Sequence, residues 1–200
     1  MRVLKLNLTM KLFYGAFLVA FLLILTRAFS QAEDAPADLA CAPAAHFNVA
    51  SPGVSVSCRT GLLVIETDGV PVHEVGGQGR HQMRAHDQTF YIPLSPQIAS
   101  EPSEIPVLGP IAITVTGVVI FSPNTAPDFN WSDAVAIGLL DDCNGHVSPH
   151  GHYHYHGAPA CPFDSEGEGE AWEGEGGVKL IGYAFDGFPI LRDRAQTSSW

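Results

Sequence analysis

The chain has 200 residues, of which 46% are hydrophobic, and its 10 basic and 21 acidic residues give a formal charge of −11 at pH 7. Such a balance repels phosphate backbones, so nucleic acid is excluded as a partner, whereas cations are attracted. The length suits one compact domain with its own core, and 20 Gly with 15 Pro argue against long helices, so the expected fold is mainly β.

In chain order, Arg2, Lys5 and Lys11 precede an apolar run from Leu12 to Leu25, and Ala28, Ser30 and Ala32 offer small residues for cleavage. Residues 1–32 read as a signal peptide, since the run is shorter than the ~20 apolar residues of a spanning helix. An uncleaved anchor is the alternative. Cleavage takes Arg2, Lys5, Lys11 and Arg27 and no acid, leaving 6 basic against 21 acidic residues. The expected location is therefore secreted or periplasmic, with no integral membrane domain after cleavage. Residues 33–57 read as a linker and first strand region, with Gln31 to Pro43 rich in Ala, Pro and acid and hence flexible.

Leu62-Leu63-Val64-Ile65 and the run Ile111 to Ile120 are β-branched or aliphatic and read as strands, the second long enough to be central. Asp68-Gly69 and Asp186-Gly187 read as hairpin turns. Asp133 to Leu140 is the one helical stretch expected, capped by Ser132. Asp164 to Gly177 alternates Glu with Gly and reads as a solvated loop pinned by Trp172. Cys41, Cys58, Cys143 and Cys161 enter an oxidising compartment, where proximity favours the pairs Cys41–Cys58 and Cys143–Cys161. Cys143 as a thiolate ligand is the competing reading.

Five of the nine histidines fall between His146 and His156. On an extended strand His150, His152, His154 and His156 share one face and Tyr153 and Tyr155 the other. Neutral imidazole has a free lone pair, so such a cluster offers a site to a transition metal, zinc or copper before nickel or iron. Residues i and i+2 lie roughly 6.6 Å apart along a strand. Two neighbouring His of the row can then share an ion, and a further ligand must come from elsewhere. The candidate metal set is His152, His154 and His156 with His146 and His73, and Asp141 and Asp142 are candidates to orient their rings. A solvated polar His row is the bland alternative.

Familiar catalytic signatures fail. His73-Glu74-Val75-Gly76-Gly77 has Gly where a zincin needs its second His, and there is no nucleophile elbow or phosphate loop. His81 and His86 read as surface residues. A metal-bound water would need a general base, for which Asp141, Asp142 and Asp186 are available.

Tyr153-His154-Tyr155-His156, with Asp142-Cys143-Asn144-Gly145-His146 and Ile181-Gly182-Tyr183-Ala184-Phe185-Asp186-Gly187-Phe188-Pro189-Ile190, closely resembles the YHYH domain family. Gly69-Val70-Pro71-Val72-His73, Phe90-Tyr91-Ile92-Pro93 and Gly109 to Pro123 agree with it. The resemblance covers roughly Gly61 to Ile190, so residues 58–190 read as the domain and 191–200 as an atypical tail. Members commonly continue past the Gly-Phe-Pro-Ile segment, which implies a shortened member here, and Thr116 stands where they often have Asn. The family implies no settled activity. The expectation is an exported, disulfide-stabilised domain that binds a metal, with a metal-dependent enzyme, hydrolytic or oxidative, and a structural or adhesive surface domain as alternatives.

Overall fold

In the computed structural model, which describes residues 41–47, 51–76, 81–127, 130–161 and 178–193, nine strands form two sheets. The expected leader, most of the linker and the Glu-Gly loop lie outside the described residues. From Cys41 onward the chain forms one unit. A 3-10 turn over Ala42–Phe47 opens it, so Ala42 and Pro43, expected in a flexible linker, are structured. The disulfide Cys41–Cys58 ties this turn to the first strand.

The first sheet is antiparallel, with β1 (Val54–Arg59), β2 (Leu62–Thr67) and β3 (Gln88–Pro93) in that order. The tight hairpin falls at Thr60 and Gly61, both at positive φ, which matches the right-handed twist of the flanking strands. Asp68-Gly69 is not such a hairpin, contrary to expectation. Residues 68–87 separate β2 from β3.

The second sheet runs β6-β7-β5-β4-β8-β9, with β4 (Pro110–Thr114), β5 (Val119–Phe121), β6 (Gly145–Val147), β7 (Tyr153–Tyr155), β8 (Val178–Ala184) and β9 (Pro189–Asp193). The single long strand expected over 111–120 is two strands. Gly117, at φ +84°, turns the chain between them, and Thr114 Oγ1 both donates to the Val118 carbonyl and accepts from the Val118 amide. Asp186-Gly187 does close the β8–β9 hairpin, and β9 draws Leu191 and Arg192 into the sheet opposite Leu180 and Lys179. No helix forms over 133–140. Asp133, not Ser132, caps a single turn through its carboxylate on the Ala136 amide, and Gly138 at φ +65° ends it.

Leu63 and Ile65 of β2 and Ile92 of β3 meet Ile113 of β4 and Leu180, Ile181 and Tyr183 of β8 in one core shared by both sheets. A second cluster, Val118, Cys143, Val147, Tyr153 and Tyr155, sits beneath the β6–β7 end of the larger sheet. The bridge Cys143–Cys161 crosses this end. No cysteine is free, so Cys143 is not a thiolate in this structure.

Candidate metal centre

Three buried consecutive residues build the site: Tyr153, His154 and Tyr155 form β7 and are 2%, 4% and 0% exposed. They alternate faces, as a strand must. β6 pairs antiparallel with β7, so that His146 stands opposite His154, and Val147 opposite Tyr153. Cross-strand partners share a face, which puts both imidazoles on one side and both tyrosines on the other. The hairpin is closed by Ser148, whose carbonyl accepts from the Gly151 amide and whose hydroxyl accepts from the His152 amide.

The tyrosine face sets the position of β6. Asp141 is buried, and its Oδ1 accepts from the amides of Cys143 (2.9 Å) and Gly145 (3.0 Å), while Tyr153 donates its hydroxyl to Oδ2 at 2.9 Å. Gly145 has no side chain because there is no room for one. A Cβ there would lie 2.4 Å from the Tyr153 hydroxyl oxygen. Asn144 takes positive φ, which Asn tolerates better than most residues, and its carbonyl accepts from the His156 amide. The segment Asp141 to Gly145 thereby fixes both ends of the motif to each other.

On the opposite face, His146 Nε2 lies 3.0 Å from His154 Nε2, which lies 3.1 Å from His156 Nε2. All three could hold one ion. The protons can be placed from the partners. His156 Nδ1 faces the Ser122 carbonyl and His154 Nδ1 faces the His152 carbonyl at 3.3 Å. A carbonyl only accepts, so each Nδ1 carries the proton and each Nε2 of a neutral ring presents a lone pair. Burial and the neighbouring rings push His146 down to about 4 and His154 down to about 3; burial also lowers His156, partly offset by the Ser122 carbonyl and Asp133. The three rings are therefore neutral at pH 7. Two lone pairs then face each other across 3.1 Å with no proton between them. A cation between them removes the repulsion. Tetrahedral nitrogens bound at about 2.0 to 2.1 Å stand roughly 3.3 Å apart, close to the spacing here. Phe121 walls one side, its ring centroid 4.2 Å from that of His154.

Of the residues singled out in the sequence, the fold thus brings together His146, His154 and His156. His152 precedes the short strand and leaves the row: its ring stacks on His86 at 3.5 Å, and His150 is exposed. His86, expected on the surface, is half-buried, and its Nε2 is the one buried side-chain nitrogen or oxygen without a hydrogen-bond partner among the described residues. His73 lies on the tyrosine side, where its Nε2 accepts from Tyr155 at 2.8 Å. Asp141 holds a tyrosine and two amides rather than an imidazole, Asp142 is exposed, and Asp186 accepts from the Phe188 amide within its turn. Ser122 could not be read from the sequence, because its contribution is a backbone carbonyl. Phe121 directly follows the aliphatic run Ile111 to Ile120 and was not singled out.

A family model described as YHYH protein matches residues 89–199, from β3 to beyond β9, and so contains the whole three-histidine cluster. No curated protein and no solved structure matches the chain.

Proposed function

The chain belongs to the YHYH protein family, and on that premise we propose that it is an exported domain that binds a transition metal, zinc or copper, through His146, His154 and His156. The observation that carries this reading is that Nε2 of His154 and Nε2 of His156 face each other at 3.1 Å while both Nδ1 atoms face backbone carbonyls, the placement in which two neutral rings offer two lone pairs to one ion. Hydrogen bonding of the outer nitrogen is how proteins fix the tautomer of a metal-binding histidine. Neutral nitrogen donors suit zinc and copper. His152 and His73 are left out of the proposed set, because each ring is engaged elsewhere. Export is supported by the two disulfides, which persist in oxidising compartments. Among the described residues no helix is long and apolar enough to cross a membrane. The acidic surface argues against a nucleic-acid partner.

A metal-dependent enzyme is the second reading, favoured by the count of ligands. Three protein nitrogens leave one position of a tetrahedral ion for water or substrate, the arrangement of catalytic rather than structural zinc.

The test is elemental analysis of natively exported protein, followed by titration of chelator-treated protein with Zn2+ and Cu2+. One ion per chain is expected in the parent and nearly none in a His154→Ala, His156→Ala double variant that keeps its β-sheet circular dichroism. A parent that takes up no ion from either titration, or a double variant with full occupancy, would overturn the assignment. Turnover by the loaded parent that the double variant lacks would favour the enzyme.

A further inference from the structure

The imidazole of His73 does not join the three-histidine cluster, yet it is held firmly on the other face of the sheet. Its Nδ1 lies 3.0 Å from the Glu74 carbonyl and its Nε2 lies 2.8 Å from the Tyr155 hydroxyl. The carbonyl only accepts, so the proton is on Nδ1, and Nε2 accepts from the tyrosine. The same Nδ1 lies 3.4 Å from Sγ of Cys143, one sulfur of the Cys143–Cys161 disulfide, so its one proton is shared between the Glu74 carbonyl and that sulfur. A neutral disulfide sulfur is a weak acceptor and gains little from this donor. A thiolate at the same place would gain much more, since hydrogen bonds to charged groups are the strong ones.

The two cysteines of the bridge are also unequal in burial. Cys143 is 4% exposed and packed among Val118, Val147, Tyr153 and Tyr155, whereas Cys161 is partly exposed at the rim of the same cluster. An incoming nucleophile reaches Cys161 first. The sulfur that must leave is then the one that faces the N–H.

From this arrangement we propose that the Cys143–Cys161 bridge is a thiol–disulfide exchange site that reacts with external thiols, with Cys161 the sulfur attacked and Cys143 the leaving group that His73 stabilises. The proposal is independent of the metal centre. In the first step a thiolate forms a bond to Cys161 Sγ, the Cys161–Cys143 bond breaks, and its electron pair departs on Cys143. The proton given up by the attacking thiol balances that charge in solvent. A second thiol then attacks the mixed disulfide, frees Cys161 as a thiol and leaves as an oxidised thiol pair. Two electrons pass to the protein and two thiols become one disulfide. Run in reverse, the same site oxidises a dithiol. The rate depends on how well the leaving sulfur carries charge, and that is the property His73 controls.

The second bridge of the molecule provides the internal standard, because Cys41 and Cys58 are both partly exposed. Chelator-treated protein is mixed with reduced glutathione or dithiothreitol, quenched with acid, alkylated and mapped by mass spectrometry. In the parent, Cys143–Cys161 should open before Cys41–Cys58, and the transient glutathione adduct should sit on Cys161. Loss of one hydrogen bond to a charged group is worth roughly a ten- to hundredfold change. His73→Ala should therefore slow opening of Cys143–Cys161 by about that factor and leave Cys41–Cys58 unchanged. His73→Asn loses the contact to Tyr155 but places an amide N–H where Nδ1–H stood, and should recover most of the rate. A merely structural role predicts that Asn behaves as Ala. The proposal fails if that is seen, if the two bridges open together in the parent, if the adduct forms on Cys143, or if His73→Ala opens as fast as the parent.

Discussion

Asp141 offers the sharpest prediction of stability, because one carboxylate satisfies three buried donors. Its Oδ1 takes the Cys143 and Gly145 amides and its oxygens share the Tyr153 hydroxyl, in a residue 8% exposed. Asp141→Ala leaves all three without an acceptor. Each buried donor left unpaired costs about 1 to 3 kcal/mol, and shared relaxation brings the total to roughly 3 to 6 kcal/mol. For a chain of this size about 2 to 4 °C of Tm accompanies each kcal/mol, so a fall of roughly 10 to 20 °C is expected. Asp141→Asn keeps an oxygen for the amides but turns the Oδ2 that accepts from Tyr153 into an NH2 donor, and should cost about 1 to 3 kcal/mol, less than Asp141→Ala. The assay is urea denaturation of chelator-treated protein with disulfides intact, for the two single variants, Tyr153→Phe, and Asp141→Ala with Tyr153→Phe. In the double variant one orphaned donor is gone, so it should be more stable than the sum of its singles by about 1 kcal/mol or more. If Asp141→Ala falls within about 1 kcal/mol of the parent, or if the cycle is additive, the carboxylate is not the pin that holds β6 to β7.

Other expectations follow from the same geometry. Metal-free protein should lose stability on acidification: His146 and His154 take up protons near 6.5 when unfolded but only near 4 and near 3 when folded, so the unfolded state binds more protons below 6.5 and stability falls from about pH 6.5 down towards those values. A Tm that rises between pH 7.5 and pH 5 would contradict this. Gly145→Ala should cost about 1 to 3 kcal/mol by overpacking and weaken metal uptake, since the new Cβ meets the Tyr153 ring that sets the hairpin, and calorimetric titration of the refolded variant reads both effects. Removing the other bridge with Cys41→Ala and Cys58→Ala should lower stability by roughly 3 kcal/mol for its short loop yet leave metal stoichiometry unchanged, because it ties the first sheet and not the hairpin. Excess Zn2+ at a hundred times its Kd should stabilise the parent by about 2.7 kcal/mol and should leave His154→Ala unmoved in thermal melts.

Much of this was legible in the sequence because the informative contacts are local. The cysteines pair with their neighbours in sequence, and both halves of the histidine motif lie on one hairpin, so spacing alone brought His146, His154 and His156 onto a short list. The structure gathers fewer of these histidines at one point than strand alternation suggests, for a physical reason. Alternation holds only while the chain is extended, and β7 is three residues long, so His152 escapes the row while His156 is returned to it by bonds to Asn144 and Ser122. Those bonds use backbone atoms and span distant segments, and no side-chain pattern reports them. Strand runs were readable in 62–65 and 111–120, but the break at Gly117 is a turn that the aliphatic run concealed. Over 133–140 the helix expected behind Ser132 is cut to a single turn, which Gly138 at positive φ ends.

The β6–β7 hairpin also bears on the order in which the chain can assemble. Pairing His146 with His154 closes only the short loop from Val147 to Tyr153, and hairpins of this kind form in about 1 to 10 μs. His156 reaches its place only when the Ser122 carbonyl, 34 residues earlier, and the lone parallel contact between Ile120 and Tyr155 are in position. Closing that longer loop carries more entropy and belongs to a later step. On loop entropy a two-nitrogen arrangement is expected before the three-nitrogen one during folding, so the full trio would mark chains that have closed the longer loop.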